Sequence, residues 1–211
     1  MSGTGHVRFG RVAAPPSGRP VSLARAGSWS GVRLLCVTPT IVVPFREPSA
    51  KSRLPENVRS RLAHAMLEDV LAASREVGET ILATAPGGLG AGVATALETV
   101  AGGPVLIVNA DVPAATPRDL WALAGAIPPG GLALVEAADG TTNALALSAP
   151  ALFEPVYGPG SASRFRELAP SLTLDLPNLA EDVDTLADLE RLCNRLGTHT
   201  RAALDELRAA A

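Results

Sequence analysis

The chain has 211 residues, of which 47% are hydrophobic and 18% charged, and its formal net charge is −3. This length and apolar content predict one domain with a sizeable core. The mild acidity and an aromatic content of only 3% disfavour nucleic acid or an anionic membrane as a partner.

The two cysteines, Cys36 and Cys193, form no CxxC motif, which fits reduced core residues in a cytoplasmic protein. No apolar run approaches the roughly 20 residues of a membrane span or forms the core of a signal peptide. Residues 1–31 are rich in Gly, Pro, Ser and Arg and lack hydrophobic periodicity, so they predict a disordered N-terminal extension. Residues 32–211 then form a single domain, with ordered structure from residues 32–37 onward.

An acid follows the most strongly predicted strand. Residues 105–108 are Val, Leu, Ile and Val, a run typical of a strand buried on both faces. Pro113 cannot continue the ladder, and Thr116 predicts the N-cap of a helix over residues 117–125. Asp111 is thereby placed at the carboxyl end of a central strand, where ligands bind in open α/β sheets. It is a candidate metal or substrate ligand; the alternative is a cap for the next helix.

The loop after the first strand (residues 40–43) carries three cations within eight residues, Arg46, Lys51 and Arg53. Guanidinium and ammonium groups beside exposed backbone N–H groups suit a polyphosphate. The alternative is a solvated charged loop. No GxxxxGK[ST] motif is present, so this is not a Walker loop.

A helix from Pro55 to about Val77 follows, with one apolar stripe facing the sheet. Residues 80–84 predict the second strand, and a glycine-rich turn from Pro86 leads into an alanine-rich helix. Such a turn brings backbone close to a ligand. The dehydrogenase fingerprint GxGxxG fails because its third glycine would be Val93, which disfavours a dinucleotide site.

Two further strands, residues 131–136 and 141–147, flank a turn at Asp139 and Gly140. The glycine–serine turn of residues 157–161 precedes a helix, whose N-terminus could receive a phosphate or carboxylate. The hydroxyl and amide side chains of residues 141–143 could likewise bind an anionic substrate; the alternative for them is that they only stabilise the turn.

Residues 172–174 predict a late strand, and residues 189–211 predict one charged helix. Between them, Asp182 and Asp184 point to the same side if the segment is extended. Two neighbouring carboxylates are costly without a cation, which favours Mg²⁺ shared with Asp111. The alternative is that these acids decorate a helix N-terminus.

Strands and helices alternate through most of the chain, which predicts an α/β protein. Several short segments, in one order, resemble the CofC/FbiD family of guanylyltransferases, which make the phospholactyl or phosphoenolpyruvyl nucleotide for coenzyme F-420. They are residues 50–54 (AKSRL), 110–113 (ADVP), 140–145 (GTTNAL), 157–161 (YGPGS), 182–185 (DVDT) and 188–189 (DL). The resemblance covers roughly residues 38–193.

The resemblance implies a nucleotidyltransferase-like fold, Rossmann-like and of GT-A type: three α/β/α layers around a mostly parallel mixed sheet. It also implies Mg²⁺-dependent transfer of GMP from GTP to phosphoenolpyruvate or 2-phospho-L-lactate, with pyrophosphate release. The expected partners are GTP, one of those acids and the downstream coenzyme F-420 enzyme that consumes the product; a homodimer is an open alternative.

Residue roles follow from the same resemblance. The nucleotide-binding residues would be Pro44, Arg46, Lys51, Arg53, Gly87, Gly88 and Leu89. The catalytic residues would be Lys51, Arg53 and Asp111. Thr142, Asn143, Gly158 and Ser161 would bind the acceptor, and Asp111, Asp182 and Asp184 would hold Mg²⁺.

The chain departs from the family between Thr84 and Pro86, where family members usually carry an extra helix and strand, and at Gly90, where they carry Asn. Two alternatives therefore stay open: another nucleotidyltransferase of this fold, acting in molybdenum-cofactor or sugar-phosphate metabolism, and a non-catalytic nucleotide-binding paralogue.

Overall fold

The computed structural model describes residues 38–46, 53–84 and 87–209. The described strands are β1 (Thr40–Pro44), β2 (Thr80–Ala83), β3 (Val105–Val108), β4 (Leu132–Glu136), β5 (Thr142–Leu147) and β6 (Ser171–Thr173). The described helices are α1 (Glu56–Arg75), α2 (Leu89–Leu97), α3 (Pro117–Gly125), α4 (Ser161–Leu168), α5 (Pro177–Ala180), α6 (Leu186–Leu192) and α7 (Thr198–Ala209).

The strands form one sheet in the order β2-β1-β3-β5-β4-β6. β5 runs antiparallel to both of its neighbours, β3 and β4, whereas the other pairs are parallel. The prediction of a mostly parallel mixed sheet is confirmed. As a result, the carboxyl ends of β1, β3 and β4 meet the start of β5 at one edge of the sheet.

Helices cover both faces of the sheet. Ile41 and Val43 of β1 pack in a cluster with α1 and α3, whereas Val42 packs in a second cluster with α2 and α4. All four residues of β3 are buried, as the uninterrupted apolar run predicts for a strand covered on both faces. The three-layer α/β/α architecture is therefore confirmed.

Local signals place α3 where the sequence predicts it. The Thr116 side chain accepts from the backbone N–H of Asp119 at 3.3 Å, and the Asp119 carboxylate accepts from the backbone N–H of Thr116 at 3.1 Å. This reciprocal pair is a capping box, which satisfies two backbone donors at the start of the helix. The capping box fixes the direction in which the chain leaves the segment that carries Asp111.

The prediction of one helix over residues 189–211 is wrong. The chain forms α6 and α7 with a turn at Gly197 between them. A Cβ at Gly197 would lie 2.2 Å from Asp69 Cγ, so only glycine fits beside that carboxylate. Asp69, on α1, accepts from the backbone N–H groups of His199 at 2.9 Å and Thr200 at 2.8 Å. A side chain from α1 therefore caps α7, and no local sequence pattern predicts this contact.

The predicted extension over residues 1–31, the segment at residues 32–37 and Lys51 lie outside the described residues. Within the described part of the chain, no helix has both the length and the apolar character needed to cross a membrane.

Candidate active site

A cavity of about 330 Å³ lies at the edge where the carboxyl ends of β1 and β3 meet the start of β5. Eight of the residues singled out from the sequence line it: Pro44, Arg46, Leu89, Asp111, Thr142, Gly158, Ser161 and Asp184. The fold therefore brings residues predicted for the nucleotide and for the acceptor into one space, although they come from six separate segments of the chain.

Two carboxylates enter this cavity from chain segments that are joined to each other. Asp111 follows β3, and Asp184 lies just before α6. The backbone N–H of Val183 donates to the carbonyl oxygen of Asp111 at 2.9 Å. The backbone N–H of Asp184 donates to the carboxylate of Asp188 at 3.2 Å, the same carboxylate that closes a capping box with Thr185 at the start of α6. These bonds fix the backbone that carries Asp184 beside the backbone that carries Asp111.

Asp182 differs from these two acids. It is not among the residues that line the cavity, and its Oδ1 accepts from Asn143 Nδ2 at 3.3 Å. Asn143 also donates to the carbonyl oxygen of Ala180 at 3.1 Å, and it too is absent from the cavity lining. Among the described residues, no group of three or more His, Cys, Asp or Glu side chains could hold a metal ion. The cavity thus brings together Asp111 and Asp184, while Asn143 ties β5 to the segment that leads to Asp184.

Two of the three predicted cations are described. Arg53 Nη1 lies 3.2 Å from Asp184 Oδ2, although Arg53 itself is exposed and is not among the residues that line the cavity. Arg46 lines the cavity and approaches the glycine-rich turn, since a Cβ on Gly88 would lie 3.0 Å from Arg46 Nη2. Gly88 has a φ of +102°, which side chains rarely adopt, so both backbone shape and close approach favour glycine there.

Where β5 and α4 begin, two buried hydroxyl groups are joined. Ser161 Oγ donates to Thr142 Oγ1 at 3.1 Å, so that the Thr142 hydroxyl proton can be donated to a ligand. The backbone N–H of Ser161 donates to the carbonyl oxygen of Gly158 at 2.9 Å, and that of Ala162 to Gly140 at 3.3 Å. These two N–H groups at the start of α4 are therefore satisfied within the protein. The hydroxyl groups, and not these amides, are therefore the groups that can bind an anion here.

Several cavity residues were not predicted from the sequence: Phe45, Ala63, Met66, Asn109, Ala110, Thr141 and Tyr157. Thr141 and Tyr157 belong to segments whose pattern was recognised, whereas Ala63 and Met66 lie on α1 and carry no local signal of a site. Asn109 donates to the carbonyl oxygen of Thr142 at 3.2 Å and so joins the end of β3 to the start of β5.

Two ionisable groups beside this part of the cavity have displaced pKa values. Burial raises the pKa of the Tyr157 phenol far above its usual range, so the phenol stays neutral. The hydroxyl and backbone N–H of Thr141 both donate to Asp139, and they lower the pKa of that carboxyl. Asp139 therefore stays ionised at neutral pH and holds the turn that presents Thr141 to the cavity.

The chain is 34% identical over 190 residues to the 2-phospho-L-lactate guanylyltransferase of Methanosphaerula palustris, an alignment that covers 80% of this chain and 90% of that protein. It is also 34% identical over 204 residues to the phosphoenolpyruvate guanylyltransferase of Nocardia farcinica, with 79% and 90% covered. No model of a known protein family matches the chain.

Solved structures show the fold. A Desulfovibrio desulfuricans protein described as a nucleotide-diphospho-sugar transferase superposes with a TM-score of 0.63 at 17% identity, covering 82% of this chain and 96% of that one. For the 2-C-methyl-D-erythritol 4-phosphate cytidylyltransferase of Thermus thermophilus, the TM-score is 0.50 at 18% identity, with 80% and 98% covered. The predicted nucleotidyltransferase-like fold is confirmed.

Proposed function

Because the chain belongs to the family of phosphoenolpyruvate and 2-phospho-L-lactate guanylyltransferases, we propose that it transfers GMP from GTP to one of those two acids and releases pyrophosphate. One observation carries the proposal: a single cavity is lined by Arg46, Asp111 and Asp184, which suit a metal-bound triphosphate, and by Thr142 and Ser161, which suit a small anionic acid. A two-substrate transfer requires the two sets of groups to share one space.

The reaction requires that the two substrates are aligned and that the negative charge of the phosphate oxygens is stabilised. An oxygen of the acceptor phosphate attacks the α-phosphorus of GTP, and the bond from that phosphorus to the oxygen of the leaving pyrophosphate breaks. A phosphate monoester has a second pKa of about 6, so the attacking group is already ionised at neutral pH and requires no general base. The neutral Tyr157 phenol is accordingly a hydrogen-bonding group for the acceptor and not a base.

Mg²⁺ would be held by Asp111 and Asp184. The fit rests on their chemistry, because both carboxylates line the same cavity and carboxylate oxygens are the ligands that this ion prefers. When bound, Mg²⁺ would neutralise the negative charge of the phosphate oxygens. Arg46 in the cavity and Arg53 beside Asp184 would also neutralise phosphate charge, and Lys51 keeps its predicted role on the triphosphate.

The test is pyrophosphate release with Mg²⁺, GTP and either phosphoenolpyruvate or 2-phospho-L-lactate. ATP and CTP serve as nucleotide controls, EDTA tests the metal, and the enzyme that consumes the product is added as a trap. We expect release that depends on GTP, on one acceptor and on Mg²⁺. Folded protein that releases no pyrophosphate with either acceptor would contradict the proposal.

A second candidate is a nucleotide-binding protein without turnover, and one observation favours it. Only five residues, 84–88, connect β2 to α2, at the point where the family resemblance predicts an additional helix and strand. Mg²⁺-dependent binding of GTP, measured by calorimetry, together with no pyrophosphate release would support this second candidate over the first.

A further inference from the structure

One side chain holds the loop that forms the acceptor side of the cavity. This acceptor loop, residues 155–160, contains Tyr157 and Gly158, which line the cavity. Arg164, in the first turn of α4, donates from Nε and Nη2 to the carbonyl oxygen of Val156 at 3.1 and 2.9 Å. It also donates from Nη1 to Pro159 at 2.8 Å and from Nη2 to Tyr157 at 3.4 Å. Three backbone carbonyl groups of one short loop are thus gathered on a single guanidinium group.

The backbone of the loop is shaped around this group. Gly158 and Gly160 have φ values of +111° and +70°, in the region that favours glycine. A Cβ at Gly158 would lie 3.9 Å from Arg164 Nη2, and one at Gly160 would lie 3.6 Å from Nη1. The guanidinium group therefore fills the inner side of the loop, and the left-handed residues let the chain curve around it.

The positive charge of Arg164 can attract an anionic ligand to the cavity. Among the described residues, its guanidinium hydrogen bonds go to carbonyl oxygens and none goes to a carboxylate. By contrast Arg166, two residues further along α4, lies 2.6 Å from Glu136. A cation without a neutralising carboxylate, placed behind the loop, raises the electrostatic potential on the acceptor side of the cavity.

We propose that Arg164 is a positioning residue for the acceptor acid: its planar fork fixes the acceptor loop, and its charge favours binding of a small polyanion against Tyr157 and Gly158. This inference rests on the proposed function and adds to it the residue that sets acceptor affinity. The fork matters because lysine donates from a single nitrogen atom, whereas arginine donates from three nitrogen atoms held in one plane.

The experiment compares Arg164→Lys and Arg164→Gln with Arg166→Lys as the matched control on the same helix. Steady-state pyrophosphate release gives the KM for the acceptor, the KM for GTP and kcat. We expect Arg164→Lys to raise the acceptor KM about tenfold and Arg164→Gln to raise it further, with the GTP KM within about twofold of wild type. Arg166→Lys should leave both KM values close to wild type.

Hydrogen exchange provides a readout that does not depend on turnover. Backbone amides in residues 155–160 should exchange faster in Arg164→Lys than in wild type, and no faster in Arg166→Lys. Gly160→Ala is a second variant, which strains the same loop while leaving Arg164 in place, and it should raise the acceptor KM in the same selective way even if Arg164→Lys fails to fold.

The outcomes separate the two proposals. An active wild-type chain whose acceptor KM is unchanged by Arg164→Lys and by Gly160→Ala overturns this inference alone, as does an equal rise in both KM values. A folded wild-type chain inactive with both acceptors overturns the proposed function and the acceptor role of Arg164 together.

Discussion

Asp111 gives the sharpest prediction at the scale of one residue. It is partly exposed and lines the cavity, and its link to Val183 uses the backbone carbonyl group, which a side-chain change leaves intact. Asp111→Asn should therefore reduce kcat by about 100-fold or more, the cost of losing a group that stabilises developing charge. The free energy of unfolding, measured in urea, should change by less than about 0.5 kcal/mol.

Asp175→Asn is the matched control, because Asp175 is exposed and does not line the cavity. This control should keep wild-type kcat. Turnover near the wild-type rate in Asp111→Asn would exclude Asp111 from the metal site.

Substitution of Arg53 tests nucleotide binding separately from folding stability. Its ion pair with Asp184 has 73% of the Arg53 side chain and 42% of the Asp184 side chain exposed. Exposed pairs contribute about 0–1 kcal/mol to folding, so Arg53→Ala should change the free energy of unfolding by no more than that. If Arg53 binds the triphosphate, the same variant should raise the KM for GTP about tenfold.

Arg61→Ala is the control, since Arg61 forms a similarly exposed pair with Glu206 between α1 and α7. That variant should leave the KM for GTP unchanged. A rise in the acceptor KM alone for Arg53→Ala would contradict the assignment of Arg53 to the nucleotide.

At the scale of elements, α2 packs directly against the acceptor loop. A Cβ at Gly90 would lie 2.9 Å from Pro155 Cβ and 3.3 Å from its carbonyl oxygen. Gly90→Ala should therefore displace the start of α2 from the loop, with a loss of about 1–3 kcal/mol in the free energy of unfolding. Because this contact joins the start of α2, which follows the glycine-rich turn, to the acceptor loop, the KM values for both substrates should rise.

Gly125→Ala is the control for a glycine-to-alanine change in a helix, since a Cβ at Gly125 meets nothing within 4 Å. It should be neutral or stabilising by up to about 1 kcal/mol. A rise in only one KM for Gly90→Ala would show that α2 and the loop act separately on the two substrates.

The contact between α1 and α7 contributes to folding stability and not to the cavity. Asp69 is buried and accepts from two backbone N–H groups of α7, and its removal leaves those donors unsatisfied. Asp69→Ala should cost about 1–3 kcal/mol, which corresponds to roughly 2–4 °C of melting temperature for each kcal/mol. Asp205→Ala, at an exposed position of α7, should leave the melting temperature unchanged.

Activity decides how the Asp69 result is interpreted. Asp69 does not line the cavity, so kcat measured well below the melting temperature should stay at the wild-type value. A large fall in kcat without loss of stability would assign Asp69 a role that its hydrogen bonds do not suggest.

At the scale of the whole molecule, the features that the sequence predicts are those governed by local rules. An apolar run predicts β3, Thr116 with Pro117 predicts the start of α3, and the end of β3 predicts the position of Asp111. These signals suffice for the α/β architecture and for the position of Asp111, because ligand sites in such sheets gather at strand ends. The other predicted residues of the cavity follow from the family resemblance.

The features that sequence reasoning missed depend on contacts between distant residues. The amide of Asn143 is bonded to the backbone of Ala180, 37 residues away, and Asp69 caps a helix 130 residues further along. Neither partner is visible in a local pattern, so the structural bonds of Asn143 and the break between α6 and α7 do not follow from the sequence, while the acceptor role of Asn143 stays a prediction. Such pairings exist only once the sheet has brought the segments together.

The prediction that residues 1–31 are an extension can be tested on the whole molecule. Within the described part of the chain, the strands run from Thr40 to Thr173 and the hydrophobic clusters begin at Ile41. A chain of about 180 residues buries about 70% of its surface on folding, which is sufficient for an independent domain. Deleting residues 1–31 should therefore shift the melting temperature by less than about 2–4 °C, equivalent to about 1 kcal/mol, and leave kcat and both KM values within about twofold. Loss of stability would give these residues a part in the core, whereas loss of activity at unchanged stability would place them at the cavity.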